Sequence, residues 1–274
     1  MLYKTVAINL NQILIGKIKH IRVIESLDES DGCNFTGKAL YEDVIERRIR
    51  LYDKDFTHQL HQVKNKNEFI DILKYYQVNA EYLLSGLLLH FEIHGDKDLQ
   101  GLVLSSGELI PWQEIINNLR PINISNRNNL FITMGVCNGR FLYKGVNPYE
   151  KSPYSGYISA SKSVSPEEIY ISFSKLFEDL IENGNIVKSY LELDKLKTNF
   201  YYKDSKRTFE DAFNSIVIKL KTDPELKADF LKKSIENTKK ETGKELSKFE
   251  SEIIFNQVIQ DMYLAKKKAF EFND

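Results

Sequence analysis

Two side chains in this sequence suit nucleophilic catalysis if the fold brings them together: Cys137 and His94, separated by 43 residues. A cysteine sulfur attacks as the thiolate, and a free thiol, with a reference pKa of ~8.5, is only a few per cent ionised at neutral pH. A neighbouring imidazole, titrating near ~6.5, can take the thiol proton and later return it to a leaving group. The flanking glycines fit that use. Gly95 leaves its N–H unobstructed for a developing oxyanion, and Gly139 lets the chain turn and a substrate backbone approach. Cys33 sits in a polar loop with no histidine near it in sequence, and no such role is read for it.

A competing chemistry uses His90, Glu92 and His94. On a strand, residues two apart project to one side, so two imidazoles and a carboxylate can meet a zinc ion with one position left for water. The same pattern arises wherever a polar patch lines a cleft, and the cysteine–histidine reading is preferred: it needs no metal and no cofactor. In that reading His90 and Glu92 lie deeper on the strand and either orient His94 or support the strand itself.

These residues need elements to hold them. Residues 86–95 form a short apolar run stopped by Gly95-Asp96, which predicts a buried strand with Leu87, Leu89, Phe91 and Ile93 on one face and Leu88, His90, Glu92 and His94 on the other. Residues 129–137 predict a second buried strand, closed by Asn138-Gly139. Between them lie a short strand at 101–104, a turn, and a helix that starts beside Pro111-Trp112. Trp112 is read as a packing anchor. Strand, helix, strand in about fifty residues is the layout of a parallel crossover, and ligands bind outside the carboxyl ends of parallel strands. His94-Gly95 and Cys137 are therefore expected at one rim of one sheet.

Around this centre, strands are expected at 6–10, 13–15 and 21–24, and helices at 39–51 and 64–76, the latter with Asn67 as its cap. Downstream come a strand at 157–161 and a helix from 165 to 182. From 204 onward the composition shifts to Lys, Glu and Asp, with helical stretches broken at Asp223-Pro224 and Thr242-Gly243.

Composition bounds the answer. Hydrophobic residues make up 42% and charged residues 28%, which excludes disorder and collagen-like repetition. Lys and Arg (38) nearly cancel Asp and Glu (39), so the net charge of -1 argues against a general nucleic-acid binder. The two cysteines rule out a disulfide framework or a four-cysteine zinc site. No secretory signal and no apolar run long enough to cross a bilayer is visible, so a cytoplasmic protein without membrane contact is expected.

His90-Phe91-Glu92-Ile93-His94-Gly95-Asp96, followed by Gly101–Gly107, Trp112 and Gly135-Val136-Cys137-Asn138-Gly139, resembles the bacterial caspase-like cysteine peptidases of the CHAT group over roughly residues 86–140. The separation of His94 and Cys137 approaches the ~50 residues between the histidine and cysteine of caspases. The resemblance implies a three-layer caspase-like α/β fold, mainly parallel, over 1–203, with a helical extension over 204–274. It also implies Cys137 as nucleophile, His94 as general acid/base, and the N–H groups of Gly95 and Cys137 as the oxyanion hole. The reaction implied is hydrolysis of a protein or peptide substrate through a thioester, in a defence or regulated-death pathway, with an activating cleavage or regulatory partner as an option. Gly135-Val136-Cys137-Asn138-Gly139 departs from the caspase Gln-Ala-Cys-x-Gly signature, which leaves open the preference at P1, the residue whose carbonyl is attacked. Arg140 and Lys144 are the nearest cations for an acidic P1, and Asp96, Asp98 and Glu150 would suit a basic one. Tyr157, with Arg140, is a candidate for the substrate pocket, and Tyr154, Tyr157 and Ile158 for a rim on which a peptide adds as a strand. The alternative is a catalytically silent peptide-binding or scaffold module of the same fold.

Overall fold

Residues 86–95 are apolar on both faces except where chemistry was read, and such a run belongs in the middle of a sheet covered on both sides. The computed structural model describes residues 16–28, 35–243 and 247–272. The strands expected at 6–10 and 13–15, and Cys33, lie outside the described residues. The strands are β1 (His20–Ser26), β2 (Thr57–Gln62), β3 (Leu87–Gly95), β4 (Gly101–Val103), β5 (Leu109–Pro111), β6 (Leu130–Met134), β7 (Gly156–Ala160) and β8 (Phe200–Asp204). They form one sheet in the order β2-β1-β3-β6-β7-β8, with β4 and β5 appended as an antiparallel extension beyond the end of β3. The first five are parallel, and β8 closes the edge antiparallel to β7.

Helices cover both faces. On one lie α1 (residues 36–51, wound as π-helix over Leu40–Glu46), α4 (Pro166–Asn183) and α5 (Ile186–Asp194). Their Leu40, Val44, Phe173, Phe177 and Leu193 share one core with Ile21, Val23, Leu88, Phe131 and Ile158 of the sheet. On the other face lie α2 (Lys66–Val78) and α3 (Trp112–Ser125), with Phe69 of α2 against Phe91 of β3 at 5.7 Å between ring centroids. The fold is a three-layer α/β sandwich around a mainly parallel sheet.

The chain divides into two compact units, Met1–Val146 with Ser152–Ser205, and Asn147–Lys151 with Lys206–Asp274. The second unit is built from α6 (Ser205–Thr222), α7 (Pro224–Thr242) and α8 (Lys248–Phe270). Its core is aromatic: Phe209 lies within 5.4–5.6 Å of Phe213, Tyr263 and Phe270. Ser247 opens α8 with a reciprocal capping box to Glu250. Among the described residues no helix is long and apolar enough to cross a membrane.

Several elements differ from the sequence reading. The cap of α2 is Asn65, not Asn67: its side chain accepts from the Glu68 N–H at 3.0 Å. The strand through 129–137 stops at Met134, because the ladder with β3 ends there. β2, β5, α5 and β8 were not foreseen. β2 reads Thr-His-Gln-Leu-His-Gln, a polar edge strand with little hydrophobic signal.

Candidate active site

The site is built on the pairing of β3 with β6. Leu87 pairs with Leu130, His90 with Thr133 and Phe91 with Met134, so every partner lies 43 residues further along the chain. The separation of His94 and Cys137 is therefore the register of these two strands. The ladder ends at Phe91–Met134; the same offset, carried three residues further, would match His94 with Cys137. Both belong to the face that carries His90 and Thr133, since side chains two apart share a face. The backbones stay close beyond the ladder: the Gly135 N–H donates to the Phe91 carbonyl at 2.9 Å. A Cβ added at Gly95 would overlap the carbonyl oxygen of Cys137. Close approach of these two chains, more than access for substrate, is what requires glycine at 95.

Backbone alternation also fixes where the Gly95 N–H points. The Phe91 carbonyl faces β6, and the Asp96 N–H turns the other way to donate to Gly101 of β4 at 3.0 Å. Gly95 shares the parity of Phe91, so its N–H faces the Cys137 segment. The chain then turns at Asn138, which holds the left-handed conformation (φ 59, ψ 21), a region asparagine tolerates. The turn is thus made by Asn138. Gly139 has a packing reason instead, since a Cβ there would press on Ser159 at 3.2 Å.

Cys137 is half-buried and His94 exposed, and both line one cavity of about 160 Å³. The thiol meets the backbone of Val164, just ahead of α4: its sulfur accepts from the Val164 N–H at 3.5 Å and donates to the Val164 carbonyl at 3.6 Å. Beneath the cavity runs a buried polar chain. Thr133 Oγ1 meets His90 Nδ1 at 2.8 Å, His90 Nε2 meets Glu92 Oε1 at 2.8 Å, and Thr36 Oγ1 donates to Glu92 Oε2 at 2.6 Å. Every member of this chain has a partner: both ring nitrogens of His90 and both oxygens of the Glu92 carboxylate are engaged. The His90 ring is also clamped between Phe173 and Phe177, at 4.6 and 5.1 Å between centroids. Both ring nitrogens of His90 are thus engaged, and zinc at His90, Glu92 and His94 would have to displace two buried hydrogen bonds. Among the described residues no cluster of three His, Cys, Asp or Glu side chains is arranged around a metal position.

The candidate pocket residues after the nucleophile fall elsewhere. Tyr157 is 1% exposed, stacks edge-on with Tyr154 and donates its hydroxyl to the Arg140 carbonyl at 2.9 Å. Ile158 and Ala160, its alternation neighbours, face α4, so Tyr157 points to the opposite side of the sheet from Cys137. It is a core residue and not a substrate rim. Arg140 and Lys144 lie over the ring of Phe141, at 4.9 and 4.5 Å from its centroid, and neither lines the cavity. Trp112 is buried, its indole N–H donating to the Leu99 carbonyl at 3.0 Å. Thr36, Thr133 and Val164 were missed by sequence reasoning. Thr133 had a signal, because the offset that matches His94 with Cys137 also matches His90 with Thr133.

The chain matches no protein-family model and no curated protein. The candidate site holds a cysteine thiol and an imidazole in one cavity, with a buried carboxylate in its wall.

Proposed function

We propose that the chain is a cysteine peptidase acting on protein substrates in the reducing cytoplasm, as the resemblance to the caspase-like CHAT peptidases also suggests. The observation that carries this reading is that His94, near the carboxyl end of β3, and Cys137, three residues past the end of the neighbouring parallel strand β6, line one cavity. The Cys137 sulfur, its proton taken by His94, adds to the scissile carbonyl. The Gly95 and Cys137 N–H groups stabilise the oxyanion. His94 then protonates the leaving amine, and a thioester remains on Cys137. Water, deprotonated by His94, releases the acid and restores the thiol.

The test is labelling with an electrophilic peptide probe followed by peptide mapping. Wild type is expected to take up the probe at Cys137, with Cys137→Ala blank at an unchanged melting temperature. His94→Ala is expected to lose at least ~10²-fold in turnover, the usual contribution of general acid–base catalysis. Labelling absent from wild type, or Cys137→Ala that unfolds, would sink the reading. A silent peptide-binding module is the second reading, and the thiol's two contacts to Val164 favour it, because they describe a satisfied resting side chain. In that case peptides bind without turnover, and Cys137→Ala binds them equally well.

A further inference from the structure

We propose that the sheet edge formed by β1 and β2 holds a binding site for a tetrahedral oxyanion of the phosphate or sulfate class, with the Arg22 guanidinium as its fixed cation. The site is independent of the peptidase reading: Arg22 lies over the Tyr76 ring of α2 at 5.8 Å, on the sheet face opposite to the one where His90 meets α4. Arg22 is 8% exposed, and among the described residues no carboxylate pairs with it. Asp55, the acid adjoining β2, pairs with Lys19 instead, at 2.9 Å. A buried charge without a counter-charge is costly, and at a sheet edge the counter-charge can come from solution. Of the five guanidinium N–H groups, three are taken: one terminal nitrogen donates to the Ile21 and Thr57 carbonyls and the other to Thr57 Oγ1, each at 2.9 Å. The buried Nε–H has no acceptor.

Two imidazoles adjoin the guanidinium. Thr57 Oγ1, which takes the Arg22 N–H, also meets His20 Nδ1 at 2.8 Å, and Tyr76, whose ring lies under Arg22, meets His61 Nε2 at 2.5 Å. One nitrogen of each ring is thereby engaged, and both rings are half-buried. The outer side of β2 pairs with no other described strand, so the edge stands open. Burial first, and the Arg22 charge after it, hold both rings below the ordinary histidine value; at His20, Asp55 opposes this and Lys19 adds to it. An oxyanion that neutralises Arg22 lifts part of that depression, so the two rings gain protons as it binds. The site then offers up to three positive charges, which suits a dianion better than the single charge of a carboxylate. Because such coupling is reciprocal, affinity for the anion rises as pH falls.

The experiment titrates the full chain with sodium sulfate, whose anion keeps its charge between about pH 5.5 and 8, against sodium acetate and sodium chloride at equal ionic strength. Calorimetry is expected to give sulfate an affinity at least ~10-fold above acetate and chloride, and at least ~3-fold higher at the lower pH than at the upper. Proton NMR of the histidine rings is expected to show sulfate raising the titration midpoints of His20 and His61 more than that of His58, which lies on the other sheet face against Tyr41. His61→Gln is expected to bind sulfate with a weaker pH dependence, and Arg22→Gln to lose binding while its circular dichroism is unchanged. If Arg22→Gln fails to fold, the wild-type midpoints decide. Sulfate bound no tighter than chloride, or midpoints unmoved by it, leaves Arg22 as a clamp between β1 and β2 and overturns the site. Acetate that matches sulfate overturns the tetrahedral class, and a folded Arg22→Gln that binds like wild type removes Arg22 from the role.

Discussion

Gly95 and Gly135 are tightly packed beside the candidate dyad, each against a group that belongs to the candidate site. A methyl at 135 would overlap the Glu92 carboxylate, and one at 95 the Cys137 carbonyl. Backbone cannot rotate aside as a side chain can, so the second clash is the worse. Gly95→Ala is expected to cost about 3 kcal/mol in chemical denaturation, at the upper end of overpacking effects, and to abolish probe labelling of Cys137. Gly135→Ala is expected to cost about 1–3 kcal/mol. The sequence made Gly95, His94 and Cys137 visible as a group, because a strand's period and a glycine after a histidine are local signals. What Gly95 touches was not visible: that depends on a chain segment more than forty residues away. The same holds for Glu92, whose alternation was legible and whose bond to Thr36 of α1 was not.

At the level of elements, strongly apolar strands announced themselves and polar ones did not. β3 was read with nearly the observed bounds and β6 was found but read three residues too long, whereas β2 hides because its exposed edge is built of threonine, glutamine and histidine. That edge carries a pH dependence. Burial, with the Arg22 guanidinium beside them, holds His20 and His61 below the ordinary histidine value, and burial also lowers His58 against the opposing pull of Glu46. Burial pushes the Tyr76 hydroxyl up to about 12, so it stays protonated, and it shares a hydrogen bond with His61 Nε2 at 2.5 Å. With folded values below ~6.5, the unfolded chain binds protons first, so this stability is full above about pH 6.5 and is lost as pH falls through the folded values. Melting temperature is expected to drop between pH 7 and 5, and His61→Gln to flatten that drop; an unchanged slope in the variant would refute the assignment. The helix following β2 offers a simpler check. Asn65→Ala removes the α2 cap, and urea unfolding is expected to show a loss of about 1 kcal/mol.

Over the whole molecule, the two units have separate cores, one aliphatic and phenylalanine-rich around the sheet, the other aromatic around Phe209. Calorimetry is expected to resolve two transitions, and Phe209→Ala to lower only one of them, by about 3–5 kcal/mol for a buried phenylalanine. A single transition shifted as a whole would contradict this. The change in composition near 204 made the helical part legible, but the assignment of Asn147–Lys151 to it was not, since five residues in a loop carry no periodicity. Those five residues are fastened there by Lys151, which donates to the Glu271 carbonyl at 2.7 Å, and by Lys266 over the Tyr149 ring at 5.0 Å. The polypeptide consequently passes from one unit to the other three times, after Val146, after Lys151 and after Ser205. Deleting everything beyond Ser205 is therefore no clean amputation: it strips the anchorage from a stretch that begins only ten residues past Cys137, and a chain trimmed that way should be judged as damaged near its candidate site as well as shortened at its end.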